Sequence, residues 1–289
     1  MLLALLRSMR PQHWIKNGFV FPALIFSKHL FAWSHFSLAL GAAGCFCILS
    51  GVIYLINDVA DADQDRLHPQ KSRRPIAARE LAIAPALIAA GLLLIAGLCA
   101  AFWLHLHFGW VVLIYTLVNF AYSFGLKRVV LIDVLIVASG FLLRALGGAV
   151  VIQVPISPWF ILCTFTLALF LAVVKRRQEK VMLEEGAREH RAILEEYPLP
   201  FLDQIISILT SATLVCYALY AMGVGDERGV VHREMQWTIP LVLYGILRYL
   251  YLVYRRGGGD NPTAVIWSDR PLQVNALLWA LVSIWALYD

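Results

Sequence analysis

Nine apolar runs of about membrane-spanning length dominate this 289-residue chain. A bilayer core requires about 20 mostly apolar residues per helix. Apolar residues make up 60% of the chain and charged residues 15%, whereas soluble domains have roughly half and a quarter. We therefore predict an all-α, polytopic membrane protein, with residues 1–289 as a single domain. About nine helices are expected, at residues 17–33, 35–56, 82–104, 108–124, 132–152, 158–175, 205–223, 237–254 and 272–288. Pro22 and Lys28 make the first run the weakest.

The positive charges predict the orientation of these helices. With the N-terminus inside, nineteen of the 24 Lys and Arg residues lie on inner segments. Outer loops carry only Lys28, Arg228 and Arg233. Cytoplasmic loops of membrane proteins are enriched in Lys and Arg. We therefore expect the N-terminus and the longer loops on the cytoplasmic side.

An acidic stripe follows the second apolar run. Tyr54, Asn57, Asp58, Asp61 and Asp65 share one face if the segment is helical. Mg²⁺ prefers hard oxygen ligands and usually binds together with substrate phosphates. The stripe therefore predicts a Mg²⁺-diphosphate site with Asn57 and the three aspartates as metal ligands. A solvated helix end with ordinary surface carboxylates is the alternative.

A basic loop comes directly after the stripe. Arg66, Lys71, Arg73 and Arg74 can bind the phosphates of a substrate that the acidic stripe holds through a cation. Such a cluster also satisfies the general excess of positive charge on inner loops. We take Lys71 and Arg74 as candidate substrate-binding residues.

Other candidates lie further from the stripe. Arg144 is about 16 Å deeper in the membrane than Asp133 on the same predicted helix. Arg144 is predicted to bind an anion, and the alternative is that it forms a structural ion pair. Asp133 is either a second-site ligand or partner to Lys127, or an acid that stabilises a helix N-terminus. Lys16 and Lys175 at inner helix ends either help to bind a polyanion or add to the bulk positive charge.

The string from Asn57 to Asp65 resembles the NDxxDxxxD signature of the UbiA superfamily of intramembrane transferases. Residues 10–17, 122–127, 260–263 and 269–272 are similar to a narrower branch, the decaprenyl-phosphate phosphoribosyltransferases. The resemblance implies a UbiA-like bundle in a bacterial inner (plasma) membrane, with its active site facing the cytoplasm. It also implies Mg²⁺ as cofactor, and Asp58, Asp61 and Asp65 as catalytic residues. Phosphoribosyl would pass from 5-phosphoribosyl 1-diphosphate to a polyprenyl phosphate, and diphosphate would be released.

The sequence departs from this superfamily at a second motif. Aromatic prenyltransferases carry a DxxxD motif, whereas the position four residues after Asp133 is Val137. The missing carboxylate indicates fewer metal sites. We expect Asn57 and Asp61 to be the chief metal ligands, with Asp58 and Asp65 in support. Lys127 and Arg144 would position the lipid phosphate, and Tyr54 would seat the ribose or its phosphates.

Two other functions stay open at this level. One is a prenyltransferase that moves a prenyl group from its diphosphate to an aromatic or other acceptor, and the missing DxxxD motif counts against it. The other is a non-enzymatic lipid or ion transporter, although transporter sites usually lie near the bilayer midplane. No nucleic-acid partner is expected, and a homo-oligomer is left open.

Overall fold

The structure, a computed structural model, describes residues 1–67, 71–184, 192–224, 233–256 and 268–288. Within these ranges it contains α- and 3₁₀-helices and no strand. Residues 260–263, one of the strings that carried the resemblance, lie outside them. The α-helices are α1 (Leu2–Ser8), α2 (Pro22–Phe26), α3 (Trp33–Ala60), α4 (Ala62–Leu67), α5 (Ile83–Leu104), α6 (Leu106–Phe124), α7 (Ile132–Val151), α8 (Pro158–Glu184), α9 (Leu199–Ala221), α10 (Ile239–Arg256) and α11 (Arg270–Tyr288).

Eight of the predicted spans are confirmed as long apolar helices in the described part of the chain, namely α3 and α5 to α11. Their outward faces are apolar, and α5 exposes Leu87, Ile88, Leu92 and Ile95. A helix that is apolar on all sides is typical of a membrane span. The all-helical, polytopic class is therefore confirmed.

The predicted helix at 17–33 is wrong as a single span. The chain instead forms a 3₁₀-helix at Pro11–Val20, followed by the five-residue α2. Pro22 has no backbone N–H to continue an α-helix through this point. Lys28 then adopts a positive φ of 63°, a conformation that is uncommon for residues other than glycine.

This broken N-terminal segment nevertheless runs antiparallel along the length of α3. The contacts pair successive residues of the segment with progressively earlier residues of α3, and they join Arg10 to Asp58, His13 to Tyr54, Asn17 to Ser50 and Phe21 to Phe36. Phe36 and Asp58 are about 33 Å apart along α3, at 1.5 Å per residue. A hydrocarbon core is about 30 Å thick, so the segment accompanies α3 over a comparable length.

The chain divides into two compact units. Unit 1 comprises Met1–Phe124 and Leu143–Pro155, and unit 2 comprises Gly125–Leu142 and Ile156–Asp289. In unit 1, α3 packs against α5, α6 and the N-terminal segment. In unit 2, α8 packs against α9, and α10 packs against α11. A single domain over the whole chain stays a prediction.

The N-terminal segment packs closely against α7 at Gly148. A Cβ atom at Gly148 would lie 2.0 Å from the backbone oxygen of Val20 and 2.8 Å from its carbonyl carbon. The 3₁₀-helix ends at Val20, which is completely buried. The absence of a side chain at Gly148 therefore allows the two backbones to approach.

We expect Gly148→Ala to destabilise the protein, because the atoms that a methyl group would meet belong to the backbone and cannot rotate away. Overpacking costs about 1–3 kcal/mol, and occasionally more. Gly91→Ala in α5 is the matched control, because a Cβ atom there would meet no atom within 4 Å. Thermal unfolding of detergent-purified protein, followed by size exclusion, measures both. Equal melting temperatures for the two variants would contradict the close packing of the Val20 backbone on Gly148.

Candidate active site

The acidic stripe lies where α3 meets α4. α3 ends at Ala60, but the amide of Asp61 still donates to the Asn57 carbonyl, and the amide of Asp65 donates to the Asp61 carbonyl. Two i to i−4 hydrogen bonds therefore link Asp61 to the end of α3 and to α4. Asp58 and Asp65 are buried, whereas Asp63 points to solvent and pairs with Arg66.

Arg74 bridges the two buried aspartates. Its Nη1 lies 2.6 Å from Asp65 Oδ2 and 3.2 Å from Asp58 Oδ1. Arg74 follows a 3₁₀ turn at Lys71–Arg73, and its amide donates to the Lys71 carbonyl. The turn therefore brings the basic loop back onto the acidic stripe. As a result Arg74, a predicted substrate-binding residue, contacts Asp58 and Asp65, two predicted metal ligands.

Arg10 also belongs to this site, although the sequence did not identify it as a binding residue. Its Nη2 lies 2.5 Å from Asp58 Oδ1, and its guanidinium lies 4.7 Å from the centre of the Tyr54 ring. Arg10 adopts a left-handed conformation (φ 53°, ψ 65°) directly before Pro11. Residues before proline favour extended conformations, and strained backbone clusters at functional sites. The one signal for Arg10 in the sequence was its place in the family-like string at residues 10–17.

Asn57 Oδ1 and Asp58 Oδ2 are buried, and neither has a hydrogen-bond partner among the residues that the structure describes. Buried polar atoms are normally satisfied, and hard oxygen atoms suit Mg²⁺. No group of three His, Cys, Asp or Glu side chains comes together for a metal in the described ranges. Asp58 and Asp65 instead contact Arg74. The unsatisfied oxygens fit a divalent cation, with Asn57 as a ligand beside the carboxylates.

Two further candidates of unit 1 are Tyr54, within the acidic stripe, and Lys71, in the basic loop after it. Tyr54 is half-buried between Arg10 and His13, whose ring centroid is 5.7 Å from its own. Lys71 is half-buried in the turn that precedes Arg74. We name the set Arg10, Asn57, Asp58, Asp61, Asp65 and Arg74 the motif site.

Arg144 lies deeper in unit 1 and is 8% exposed. Its Nε donates to Asn17 Oδ1 at 2.8 Å, and its Nη2 donates to the Tyr115 hydroxyl at 2.7 Å. Lys16, which precedes Asn17 and is a candidate for binding a polyanion, is exposed. A charged residue in the membrane costs about 2.5–3.5 kcal/mol on insertion scales, and such residues usually face a functional cavity. We name Arg144, Asn17 and Tyr115 the Arg144 site.

The Arg144 site is displaced from the motif site along α3. Asn17 donates to Ser50 Oγ at 3.5 Å, and Ser50 is about 12 Å from Asp58 along the helix, at 1.5 Å per residue. Unit 1 therefore contains arginine side chains at two different depths, Arg10 and Arg74 in the motif site and Arg144 in the Arg144 site.

In unit 2, Asp133 is completely buried and both of its oxygens accept hydrogen bonds. Tyr197 donates to Oδ1 at 2.7 Å, and Arg176 Nε donates to Oδ2 at 2.7 Å. The Tyr197 hydroxyl also accepts from the Leu131 amide. Burial, and then the hydrogen bond to Asp133, raise the pKa of Tyr197 above its usual value, so it remains a donor at neutral pH. These contacts fix the start of α7, and a ligand role for Asp133 stays a prediction.

The lysine candidates of unit 2 lie near this cluster. Lys127 belongs to the 3₁₀ turn Leu126–Arg128, which contacts the turn Ala192–Leu194. Lys175 Nζ is 3.9 Å from Glu179 Oε1, and Glu179 also accepts from Arg176. Substrate binding by both lysines stays a prediction.

The model of the UbiA prenyltransferase family matches residues 18–268. The chain belongs to the UbiA prenyltransferase family. Among curated relatives, it is 34% identical to the decaprenyl-phosphate phosphoribosyltransferase of Mycolicibacterium smegmatis, over 95% of this chain and 89% of the relative. It is 31% identical to the protein of that name from Corynebacterium glutamicum, over 98% of this chain and 86% of the relative. This UbiA-family chain is therefore a membrane transferase, and the transporter alternative is not supported.

Solved structures of the UbiA family share the fold. A UbiA homologue from Archaeoglobus fulgidus bound to GPP and Mg²⁺ superposes with a TM-score of 0.71 at 17% identity, over 99% of this chain and 100% of that one. The apo structure of a UbiA homologue from Aeropyrum pernix covers 93% of this chain and 98% of that one, with a TM-score of 0.65 at 14% identity. At these identities the likeness shows the fold alone.

Proposed function

We propose that this UbiA-family transferase moves 5-phosphoribosyl from 5-phosphoribosyl 1-diphosphate to a polyprenyl phosphate and releases diphosphate. One observation carries the proposal: unit 1 holds arginine side chains at two different depths, in the motif site and in the Arg144 site. A donor diphosphate and a lipid phosphate are two anionic substrates. A prenyltransferase with an uncharged acceptor requires only one. The names of the curated relatives support the same assignment.

The motif site suits the donor. Asn57 and Asp61 would be the chief ligands of Mg²⁺, with Asp58 and Asp65 in support. Mg²⁺, when bound, offsets the negative charge that builds on the leaving diphosphate. Arg10, Arg74 and Lys71 are the cations that would contact phosphate oxygens at this site, and Tyr54 would seat the ribose.

The Arg144 site suits the acceptor, because a lipid phosphate enters from the bilayer. Arg144 would orient one phosphate oxygen towards the ribose C1. A new C1–O bond forms to that oxygen while the C1–O bond to diphosphate breaks, and the electron pair leaves with diphosphate. The attacking phosphate is already anionic, so no strong general base is required.

The distribution of charge supports a cytoplasmic site in a bacterial inner membrane. Nineteen of the 24 Lys and Arg residues fall on segments that the sequence predicts to be inner, and such segments normally remain in the cytoplasm. A water-soluble, highly charged donor would reach the motif site from that side.

A product assay tests the proposal. Purified protein in lipid nanodiscs is incubated with Mg²⁺ and one of two pairs, phosphoribosyl diphosphate with decaprenyl phosphate, or a prenyl diphosphate with an aromatic acid. We expect a phosphoribosylated lipid, identified by mass, from the first pair alone. Decaprenol without its phosphate is the matched acceptor control and should give no product. A prenylated aromatic product from the second pair would overturn the proposal.

A further inference from the structure

The motif site holds two arginines in contact with two buried aspartates. Asp58 Oδ1 accepts from Arg10 at 2.5 Å and from Arg74 at 3.2 Å. Asp65 Oδ2 accepts from Arg74 at 2.6 Å. The side chains of Asp58 and Asp65 are only 1% and 6% exposed, so water screens these charges weakly. Any further ion that enters the site therefore meets the charge of both guanidinium groups.

The backbones of both arginines are anchored beside the aspartates. Met9, which precedes Arg10, is 5% exposed, and its side chain lies against Gly51 of α3. Ile76, two residues after Arg74, is buried in a hydrophobic core to which α3 contributes. Both guanidinium groups therefore stay within reach of the carboxylates when another ion enters.

The arginines act in opposite directions on a metal and on a diphosphate. A divalent cation bound to Asp58 or Asp65 adds positive charge next to two guanidinium groups, and like charges repel. A diphosphate brings negative charge, which the arginines can contact through charge-assisted hydrogen bonds, but the carboxylates repel it when no metal is bound. When both ligands bind, each offsets the repulsion that the other would meet alone.

We propose that Arg10 and Arg74 couple these two ligands, so that the motif site retains Mg²⁺ only while a diphosphate is bound. The inference rests on the proposed function, in which diphosphate is released at this site. The coupling is reciprocal, because each ligand strengthens the binding of the other by the same factor. The metal then enters with the donor and leaves with the diphosphate product.

Two titrations of the purified protein in nanodiscs test the coupling, with Mn²⁺ as a paramagnetic probe for Mg²⁺. One titration uses Mn²⁺ alone, and the other uses a preformed complex of Mn²⁺ with inorganic diphosphate. Electron paramagnetic resonance measures binding in both. We expect the wild type to bind the complex at least about tenfold more tightly than Mn²⁺ alone, which is within the usual range of coupling between ligands. Equal dissociation constants would overturn the inference.

Arg10→Gln removes the positive charge and retains a side-chain donor for Asp58. We expect this variant to bind Mn²⁺ alone at least about threefold more tightly than the wild type, because one repulsive charge is lost. It should bind the complex at least about tenfold more weakly, because a charge-assisted contact is lost. A structural role for Arg10 predicts that both affinities fall, and that result would overturn the inference. Arg74→Gln should give the same opposite shifts, and it takes the place of Arg10→Gln should that variant fail to fold.

Arg7→Gln is the matched control in the N-terminal part of the chain. The side chain of Arg7 is 52% exposed and pairs with Glu80, so this substitution removes one positive charge from the surface. We expect both dissociation constants to stay within about twofold of the wild type, because salt and water screen exposed charges. Equal shifts in Arg7→Gln and Arg10→Gln would indicate an effect of net charge alone and would overturn the inference.

The outcomes separate this inference from the proposed function. A wild type that shows the coupling but forms no phosphoribosylated lipid would refute the proposed function alone. A wild type that forms this lipid, yet binds Mn²⁺ alone as tightly as the complex, would refute the coupling alone.

Discussion

We expect the Asp61→Asn enzyme to lose at least about 100-fold in kcat/KM, the range observed when one electrostatic contact to developing charge is removed. The substitution retains the size of the side chain but removes the negative charge that we assign to the metal. Asp61 is half-buried at the junction of α3 and α4. Its backbone contacts do not depend on the side chain, so the variant should insert and purify normally.

Asp63→Asn is the control for this experiment. Asp63 lies two residues away on α4, but its side chain is 94% exposed and pairs with Arg66 at the surface. We expect activity close to that of the wild type. Excess EDTA should abolish wild-type turnover, and added Mg²⁺ should restore it. Turnover at the wild-type rate in Asp61→Asn would remove this residue from the metal site, and turnover in EDTA would remove the metal requirement itself.

Arg144→Ala should lower kcat/KM for the lipid phosphate by about 10- to 100-fold. A charge-assisted contact contributes roughly 1.5–3 kcal/mol, and about 1.4 kcal/mol corresponds to tenfold in rate. Donor affinity should change much less, because phosphoribosyl diphosphate is assigned to the motif site. The lipid is titrated at saturating donor, and donor binding is followed by calorimetry in the absence of lipid.

Arg144→Lys is the matched variant. It retains the charge but lacks the fork that contacts both Asn17 Oδ1 and the Tyr115 hydroxyl. We expect an intermediate loss. Weakened donor binding with normal lipid kinetics would move Arg144 to the donor, and aggregation of both variants on size exclusion would support a structural role.

The membrane helices could be predicted from the sequence because each long apolar run is a continuous signal. The N-terminal segment could not be predicted in the same way. Pro22 and Lys28 weaken its pattern, and its position depends on Gly148, which lies far along the chain. Hydropathy reports the composition of a segment, whereas the path of this segment is set by backbone packing on α3 and α7.

The same distinction applies to the candidate site. Asn57, Asp58, Asp61 and Asp65 are close in sequence, so their spacing identifies them. Arg10 is 48 residues from Asp58, and Asn17 is 127 residues from Arg144, so no local pattern connects these partners. Asp133 has its two partners 43 and 64 residues away. Sequence reasoning therefore left its role open.

The docking of the N-terminal segment on α7 has a consequence for biogenesis. A segment without a continuous apolar helix is a poor substrate for independent insertion into the bilayer. The segment packs on Gly148, and its Asn17 contacts Arg144. Both of these α7 residues are synthesised long after the segment itself. We therefore expect the segment to settle only after α7 has inserted. A segment that is translated well before α7 would therefore reach its final position only after α7, and the Arg144 site would be completed only at that moment.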